Sequence, residues 1–204
     1  HIAEYAKQKG IKKFIFASTG GAIYSNAPKL PADENTPEQP LSPYGISKLL
    51  GEKIIRAYTT NKKFSYLTFR YPNVYGPRQN PFGEAGVVAI FSELIKSGKT
   101  PTIFGDGSKG RDYVHVSDVV HANILALTKG DNEIINLGSG KLTTDKKVFE
   151  IISSNLKSDI ECRYAPFRKG EVYRVSLSKD KAKKILGWKT KLSFEKGVND
   201  YLHS

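Results

Sequence analysis

Tyr44 and Lys48 stand four residues apart in the stretch Ser42-Pro43-Tyr44-Gly45-Ile46-Ser47-Lys48. On a helix that spacing puts both side chains on one face. A phenol is a poor base at neutral pH because its ordinary pKa is about 10. A neighbouring ammonium favours the phenolate and lowers that value. Reaching about 7 takes roughly 4 kcal/mol of differential stabilisation. One close cation in a partly dry site, aided by a second charge, can supply it. A pair so placed is suited to taking a proton from an alcohol. The same Y-x-x-x-K spacing also arises by chance on solvated helices, so its meaning depends on the residues before it.

Those residues are Phe14-Ile15-Phe16-Ala17-Ser18-Thr19, a short apolar run ending in two hydroxyls. It reads as a buried strand. Gly20-Gly21 then allows the chain to turn sharply. A hydroxyl at the carboxyl end of a parallel strand sits where open α/β sheets bind ligands. Around this pair the pattern gives helices at His1 to Lys9, Ser42 to about Thr60, Ala85 to Ser97, Ser117 to Lys129, Asp145 to Leu156, Lys179 to Leu186 and Ser193 to Leu202. Ser117 is the expected N-cap of its helix, with Asp118 at the positive end. Strands are expected at Lys13 to Ser18, Ser65 to Arg70 and Glu133 to Leu137. Asn26 to Ser42, with Pro28, Pro31, Pro37 and Pro40, reads as a long surface loop. Strands alternating with helices argue an α/β fold with a doubly wound parallel sheet.

Strand, hydroxyl and Y-x-x-x-K together resemble the short-chain dehydrogenase/reductase superfamily. Ala17-Ser18-Thr19-Gly20-Gly21-Ala22-Ile23-Tyr24 is similar to its extended branch, the nucleotide-sugar epimerases and dehydratases. The resemblance implies Thr19, Tyr44 and Lys48 as the catalytic set, with Ser18 the neighbouring alternative for the hydroxyl and a second contact to the cofactor, NAD. Arg70-Tyr71-Pro72-Asn73-Val74-Tyr75-Gly76-Pro77-Arg78-Gln79 resembles the segment after the next strand. It implies that the Tyr71-Pro72 backbone meets the nicotinamide and Asn73 the sugar nucleotide. Gly83 to Phe91 resembles the opening of the substrate lobe in UDP-glucose 4-epimerases. Thr102-Ile103-Phe104 looks like the strand whose backbone pairs with uracil. Arg111, in Gly110-Arg111-Asp112-Tyr113-Val114-His115-Val116, and Arg168 with Glu171, in Arg168-Lys169-Gly170-Glu171, match residues that hold the diphosphate and ribose. Asn136 to Gly140 and Leu186-Gly187-Trp188 are similar to the returning strand and the closing motif. Six motifs in order are more specific than any one.

The resemblance implies C4 epimerisation of a UDP-sugar through a 4-keto intermediate, the sugar itself left open, and a homodimer built on the Tyr44 helix. The alternatives are a dehydratase or decarboxylase of the same superfamily, or a sugar-nucleotide-binding remnant without turnover. Gly20-Gly21 stands where dehydratases often carry Asp-Glu, which argues against dehydration. The implied domains are 1–75 with 116–140 as part of a Rossmann-like NAD-binding domain, and 76–115 with 141–204 as a smaller α/β sugar-nucleotide lobe. NAD binding in this fold needs a Gly-rich turn after the first strand, and the 204 residues contain none. The expectation is a piece of a longer protein lacking roughly 100 N-terminal residues, inactive when isolated.

Composition bounds the remainder. Hydrophobic residues make up 39% and aromatics 11%, which is globular rather than disordered. No run is long enough for a transmembrane helix and no signal-peptide pattern opens the chain, so the expected location is the cytoplasm, without a membrane partner. The single Cys162 excludes an internal disulfide, and the four His residues lack ligand spacing, so no metal is expected. His115 reads as packed structure. The net charge of +12 raises nucleic acid as a partner. Its lysines, at Lys12-Lys13, Lys62-Lys63, Lys146-Lys147 and Lys179 to Lys184, are dispersed among periodic apolar residues with no nucleic-acid-binding signature. Solvated helix faces and an anionic substrate at Arg111 and Arg168 account for them.

Overall fold

A computed structural model describes the chain apart from residues 26, 60–63, 84–85 and 169. Asn26, Thr60, the Lys62-Lys63 pair, Ala85 as a helix start and Lys169 therefore lie outside the described residues. In chain order the elements are α1 (Ile2–Gln8), β1 (Lys13–Thr19), α2 (Gly20–Ile23), α3 (Pro43–Thr59), β2 (Ser65–Tyr71), β3 (Asn73–Tyr75), α4 (Val87–Lys96), β4 (Thr102–Phe104), β5 (Gly110–Arg111), β6 (Tyr113–His115), α5 (Val116–Ala126), β7 (Glu133–Asn136), β8 (Thr143–Thr144), α6 (Asp145–Leu156), β9 (Arg163–Ala165), β10 (Arg174–Val175), α7 (Asp180–Leu186) and α8 (Phe194–Leu202).

The central sheet has the order β1-β2-β7, all parallel, with Ser18 opposite Arg70 and Thr19 opposite Tyr71. Side chains alternate across a strand, and each face has its own cover. Phe14, Phe16, Tyr66 and Ile134 pack with Ala3 of α1 and Ile55 of α3. Leu67, Phe69 and Ile135 pack with Ala122 and Ala126 of α5, Ala182 and Leu186 of α7, and Trp188. Helices on both faces of a parallel sheet are the doubly wound arrangement expected from the alternation. A second core joins α4, α6 and α8 to β4 and β6 through Phe91, Ile103, Tyr113, Ile152 and Val198.

Three features differ from the local pattern. α7 and Trp188, within the 141–204 segment expected in the second lobe, pack on the central sheet. The indole Nε1 donates to Asp118 O at 2.8 Å, and the Asp118 carboxylate accepts from Lys191 N and Leu192 N. This anchor returns the chain to the first core before α8 leaves it. Second, α5 is capped by His115 rather than Ser117, because β6 passes directly into the helix; the His115 ring nitrogen accepts from Ser117 N at 3.3 Å. Third, neither glycine of Gly20-Gly21 adopts a positive φ. They open the one-turn α2, with Thr19 as N-cap accepting from Ala22 N at 3.3 Å.

The long loop after α2 is fixed by a buried ionic group. The Arg70 side chain is 1% exposed. Its Nε donates to Glu52 Oε1 at 3.0 Å, its Nη1 to the Tyr24 hydroxyl, and its Nη2 to Glu52 Oε2 and Glu38 Oε1. Ser18 Oγ donates to the same Glu52. Tyr24 in turn donates to Asn136 Oδ1, and Asn136 Nδ2 to Ala32 O. Burial pushes the Glu38 carboxyl up, but hydrogen bonds from Arg70 and Lys53 hold it below the usual range. Removing one partner of a buried pair leaves an uncompensated charge and costs about 3–5 kcal/mol. We expect Arg70→Leu to lose stability of that order in urea unfolding. A loss below about 1 kcal/mol would mean that the network is dispensable.

Candidate active site

The Tyr44 and Lys48 side chains emerge from the first turns of α3 near the carboxyl end of β1. Lys48 Nζ donates to Ala17 O at 3.0 Å and lies 5.5 Å from the Phe16 ring and 5.8 Å from the Tyr44 ring. Tyr44 is 56% exposed. Glu52 follows Lys48 by one more helical turn on the same face, so its bond to Arg70 sets the rotation of α3 about its axis.

The two hydroxyls at the end of β1 face opposite ways, as alternation requires. Ser18 is committed to Glu52 on the α3 side. Thr19 Oγ1 accepts from Ala22 N and so keeps its own O–H proton to donate. A Cβ built on Gly21 would lie 3.8 Å from Thr19 Oγ1 and 3.7 Å from Asn73 Oδ1. The candidate hydroxyl and the residue expected to meet the sugar nucleotide thus converge beside a glycine that leaves the space open. Tyr71 and Pro72 end β2 next to them; the Tyr71 hydroxyl is taken by Asn123 Nδ2 at 3.1 Å, which leaves the backbone as its means of contact.

The remaining sequence candidates meet in one cavity. Asn73, Thr102, Phe104, Arg111, Arg168 and Glu171 line a space of about 290 Å³, with Ile90 and Phe91 of α4 supplying apolar wall. These six come from β3, β4, β5 and the segment after β9, up to 98 residues apart in sequence numbering between Asn73 and Glu171. The Arg168 guanidinium stacks 3.7 Å from the Phe104 ring centre and is 3.9 Å from Glu171. Arg111 Nη1 donates to Gly110 O and Tyr173 O, at 3.0 and 3.2 Å. Sequence reasoning missed two members, Lys109 and Asp145. Lys109 Nζ is 3.1 Å from Asp145 and 2.7 Å from Glu171. Burial pushes the Asp145 carboxyl up against the opposing pull of Lys109. The only sequence signal is a lysine immediately before the Gly110-Arg111 motif, and its acid partner is 36 positions away.

Asp112, between Arg111 and Tyr113, holds this wall in place. Its carboxylate accepts from Ser139 N and Oγ, Gly140 N and Leu177 N. Gly138 is required nearby, since a Cβ there would sit 1.9 Å from Leu177 O.

A match to the family model described as "NAD dependent epimerase/dehydratase family" covers residues 1–138. The chain belongs to that family. It is 38% identical to the UDP-glucose 4-epimerase of Mycolicibacterium smegmatis, covering 97% of this chain and 63% of the relative. The crystal structure of a UDP-glucose 4-epimerase with UDP-glucose from Thermotoga maritima superposes with a TM-score of 0.97 at 46% identity, over 99% of this chain and 66% of that one. The Thermus thermophilus UDP-glucose 4-epimerase complex with NAD gives 0.93 at 38%, over 99% and 66%. The chain therefore spans about two thirds of the length of these relatives. The α/β Rossmann-like fold and the NAD-dependent family expected from the motifs both hold.

The residues present suit the nicotinamide end of that cofactor by their donor chemistry. Lys48 uses one ammonium hydrogen on Ala17 O, and among the described residues nothing takes the other two. The Thr19 proton is likewise available.

Burial pushes the Asp112 carboxyl up to about 6, although four donors oppose the rise. A raised folded pKa means that the native state binds more protons than the unfolded chain between about pH 4 and 6. Stability from this group is then largest at the acid end and falls as pH rises through 6. We expect the parent to lose on the order of 3 kcal/mol more than Asp112→Asn between pH 4 and pH 7. Parallel curves for the two proteins would contradict the shift.

Proposed function

We propose that the protein epimerises a UDP-sugar at C4, with Tyr44 as the base. The observation that carries the reading is the convergence of Asn73, Thr102, Phe104, Arg111, Arg168 and Glu171 on one cavity, adjoining the Thr19 hydroxyl through Asn73 and Gly21. Bound NAD supplies a reversible acceptor for the hydride of sugar C4. The chain's own residues do the rest. Tyr44 Oη removes the proton of the sugar 4-hydroxyl as the carbon–hydrogen bond breaks, and returns it when the hydride comes back to the other face of the 4-keto sugar. Thr19 donates a hydrogen bond to the reacting oxygen. Lys48, pinned to Ala17 O, holds the nicotinamide ribose and presents positive charge to the phenol. Arg111 and Arg168 hold the diphosphate, since a guanidinium meets phosphate oxygens through two parallel donors. The Phe104 strand takes the uracil, and Glu171 the ribose.

The reading extends to a homodimer in the cytoplasm. Ile46, Leu50 and Ile54, spaced four apart on α3, form an exposed apolar stripe suited to a second copy. Among the described residues no helix is long and apolar enough to cross a membrane.

Tyr44→Phe keeps the ring and removes the titrating oxygen. In the complete protein we expect turnover of UDP-glucose to fall about a hundredfold or more, with UDP affinity retained in calorimetry. Turnover within a few-fold of the parent would remove Tyr44 from the mechanism. The hydroxyls separate by the same assay. Thr19→Val is expected to lower turnover with little change in melting temperature, and Ser18→Ala to do the reverse. Arg111→Ala should weaken UDP binding by about tenfold or more. Equal UDP affinity in variant and parent would sink the diphosphate assignment.

A further inference from the structure

The sugar-nucleotide cavity contains a third cation whose hydrogen-bonding capacity is unfilled. Lys109 sits in the loop Asp106-Gly107-Ser108-Lys109-Gly110 between β4 and β5, and its side chain is 12% exposed. That loop is clamped to the start of α6: Asp145 N donates to Lys109 O at 2.9 Å and Lys146 N to Gly107 O at 3.2 Å. The stem of Lys109 therefore starts from a fixed backbone. Its ammonium meets Asp145 on one side and Glu171 on the other. An ammonium carries three donors. Two meet these carboxylates, and the third is left to the cavity that Lys109 lines. The Tyr113 hydroxyl on the same wall is buried without a partner among the described residues. Lys109, Arg111, Arg168 and Tyr113 thus bring donors to one wall, which suits an anionic ligand.

Charge points the same way. Lys109, Arg111 and Arg168 against Asp145 and Glu171 leave one positive charge around a cavity of about 290 Å³. Without Lys109 the balance would fall to zero, two acids against two arginines, one of which is largely exposed. A dianionic diphosphate would then meet the Asp145 carboxylate without its counter-ion. Asp145 is itself nearly buried, so it is placed to hold the ammonium rather than to meet solvent.

We propose that Lys109 is a diphosphate-binding residue of this cavity, donating its third ammonium hydrogen to a phosphate oxygen, and that Asp145 is the positioning residue that aims it. The inference rests on the reading of the cavity as a nucleoside-diphosphate site. It adds a contact that the motif comparison did not assign.

The test uses titrations of the protein with UDP, followed by calorimetry, and with uridine, followed by ligand-detected NMR. Lys109→Met alone strands Asp145, so the deciding variant is the double substitution Lys109→Met with Asp145→Asn, which removes both charges together. Thermal unfolding of each protein confirms that it is folded. We expect the double variant to bind UDP at least about tenfold more weakly, the scale of a lost charged hydrogen bond, and uridine within twofold of the parent. Restoring Lys109 in the single variant Asp145→Asn should recover part of the UDP affinity. UDP affinity within twofold of the parent in the double variant would show that Lys109 only neutralises Asp145, and would overturn the assignment. An equal loss for uridine and UDP would also overturn it, since damage to the cavity would then explain both. Failure of the unsubstituted protein to bind UDP would reject the nucleoside-diphosphate reading itself, and this inference with it, before any substitution is compared.

Discussion

The guanidinium of Arg70 is the constraint on which the candidate active site depends. A charge with 1% of its side chain exposed is tolerated only with full hydrogen bonding. The partners that provide it come from every segment that borders the active site: Glu52 from α3, Glu38 from the long loop, Tyr24 from the end of α2 and, through Glu52, Ser18 from β1. Because Tyr44, Lys48 and Glu52 recur at four-residue spacing, a bond to Glu52 fixes which way the phenol and the ammonium face. The same bond draws Ser18 to the α3 side of the sheet, and alternation then directs Thr19 to the other side. One buried cation thus decides the rotation of the helix, the path of the loop and which hydroxyl is available.

A second set of anchors joins the sugar-nucleotide cavity to the sheet. Asp112 lies one residue after Arg111 and takes hydrogen bonds from the turn after β7 and from Leu177 after β10. Trp188 and Asp118 close the chain back onto α5. The cavity is therefore not carried by a lobe with an independent path of chain. Its wall around Arg111 and Tyr113 is braced through Asp112 against the turn after β7 and against Leu177. Apolar burial supplies most of the driving force for such a fold, but these carboxylates choose its register, because a buried acid left without donors is costly.

What was legible in the sequence follows from the range of the interactions. Long amphipathic helices and the apolar strands β1, β2 and β7 follow from local periodicity, and their ends came out within a few residues. The short strands β5, β8, β9 and β10 have two or three residues each. They exist only because a distant segment pairs with them, as Thr102 does with Arg163, and no local pattern announces that. The Tyr44, Lys48 and cavity residues were legible because each sits in an ordered motif. Arg70 was read only as the first residue of its motif, since its partners lie 18 to 46 positions away. Lys109 and Asp145 were invisible for the same reason. No local pattern shows that α7 and Trp188 pack on the central sheet, because Trp188 is anchored to Asp118, 70 positions away.

Two arginines in this chain show how burial separates structure from recognition. Arg70 is enclosed, with its donors shared among two carboxylates and a phenol, and releasing any of them would expose an unpaired buried charge. Arg168 is 60% exposed, rests on the face of Phe104 and stands 3.9 Å from Glu171. A cation–π contact at an exposed site contributes about 0.5–1 kcal/mol, and an exposed ion pair of that length less than about 1 kcal/mol. A charged hydrogen bond to an anion contributes about 1.5–3 kcal/mol. On these magnitudes an anionic ligand in the cavity would outcompete the stack, whereas none would draw Arg70 from its cage. The same side chain is fixed framework where it is dry and saturated, and an exchangeable contact where it is wet and weakly held.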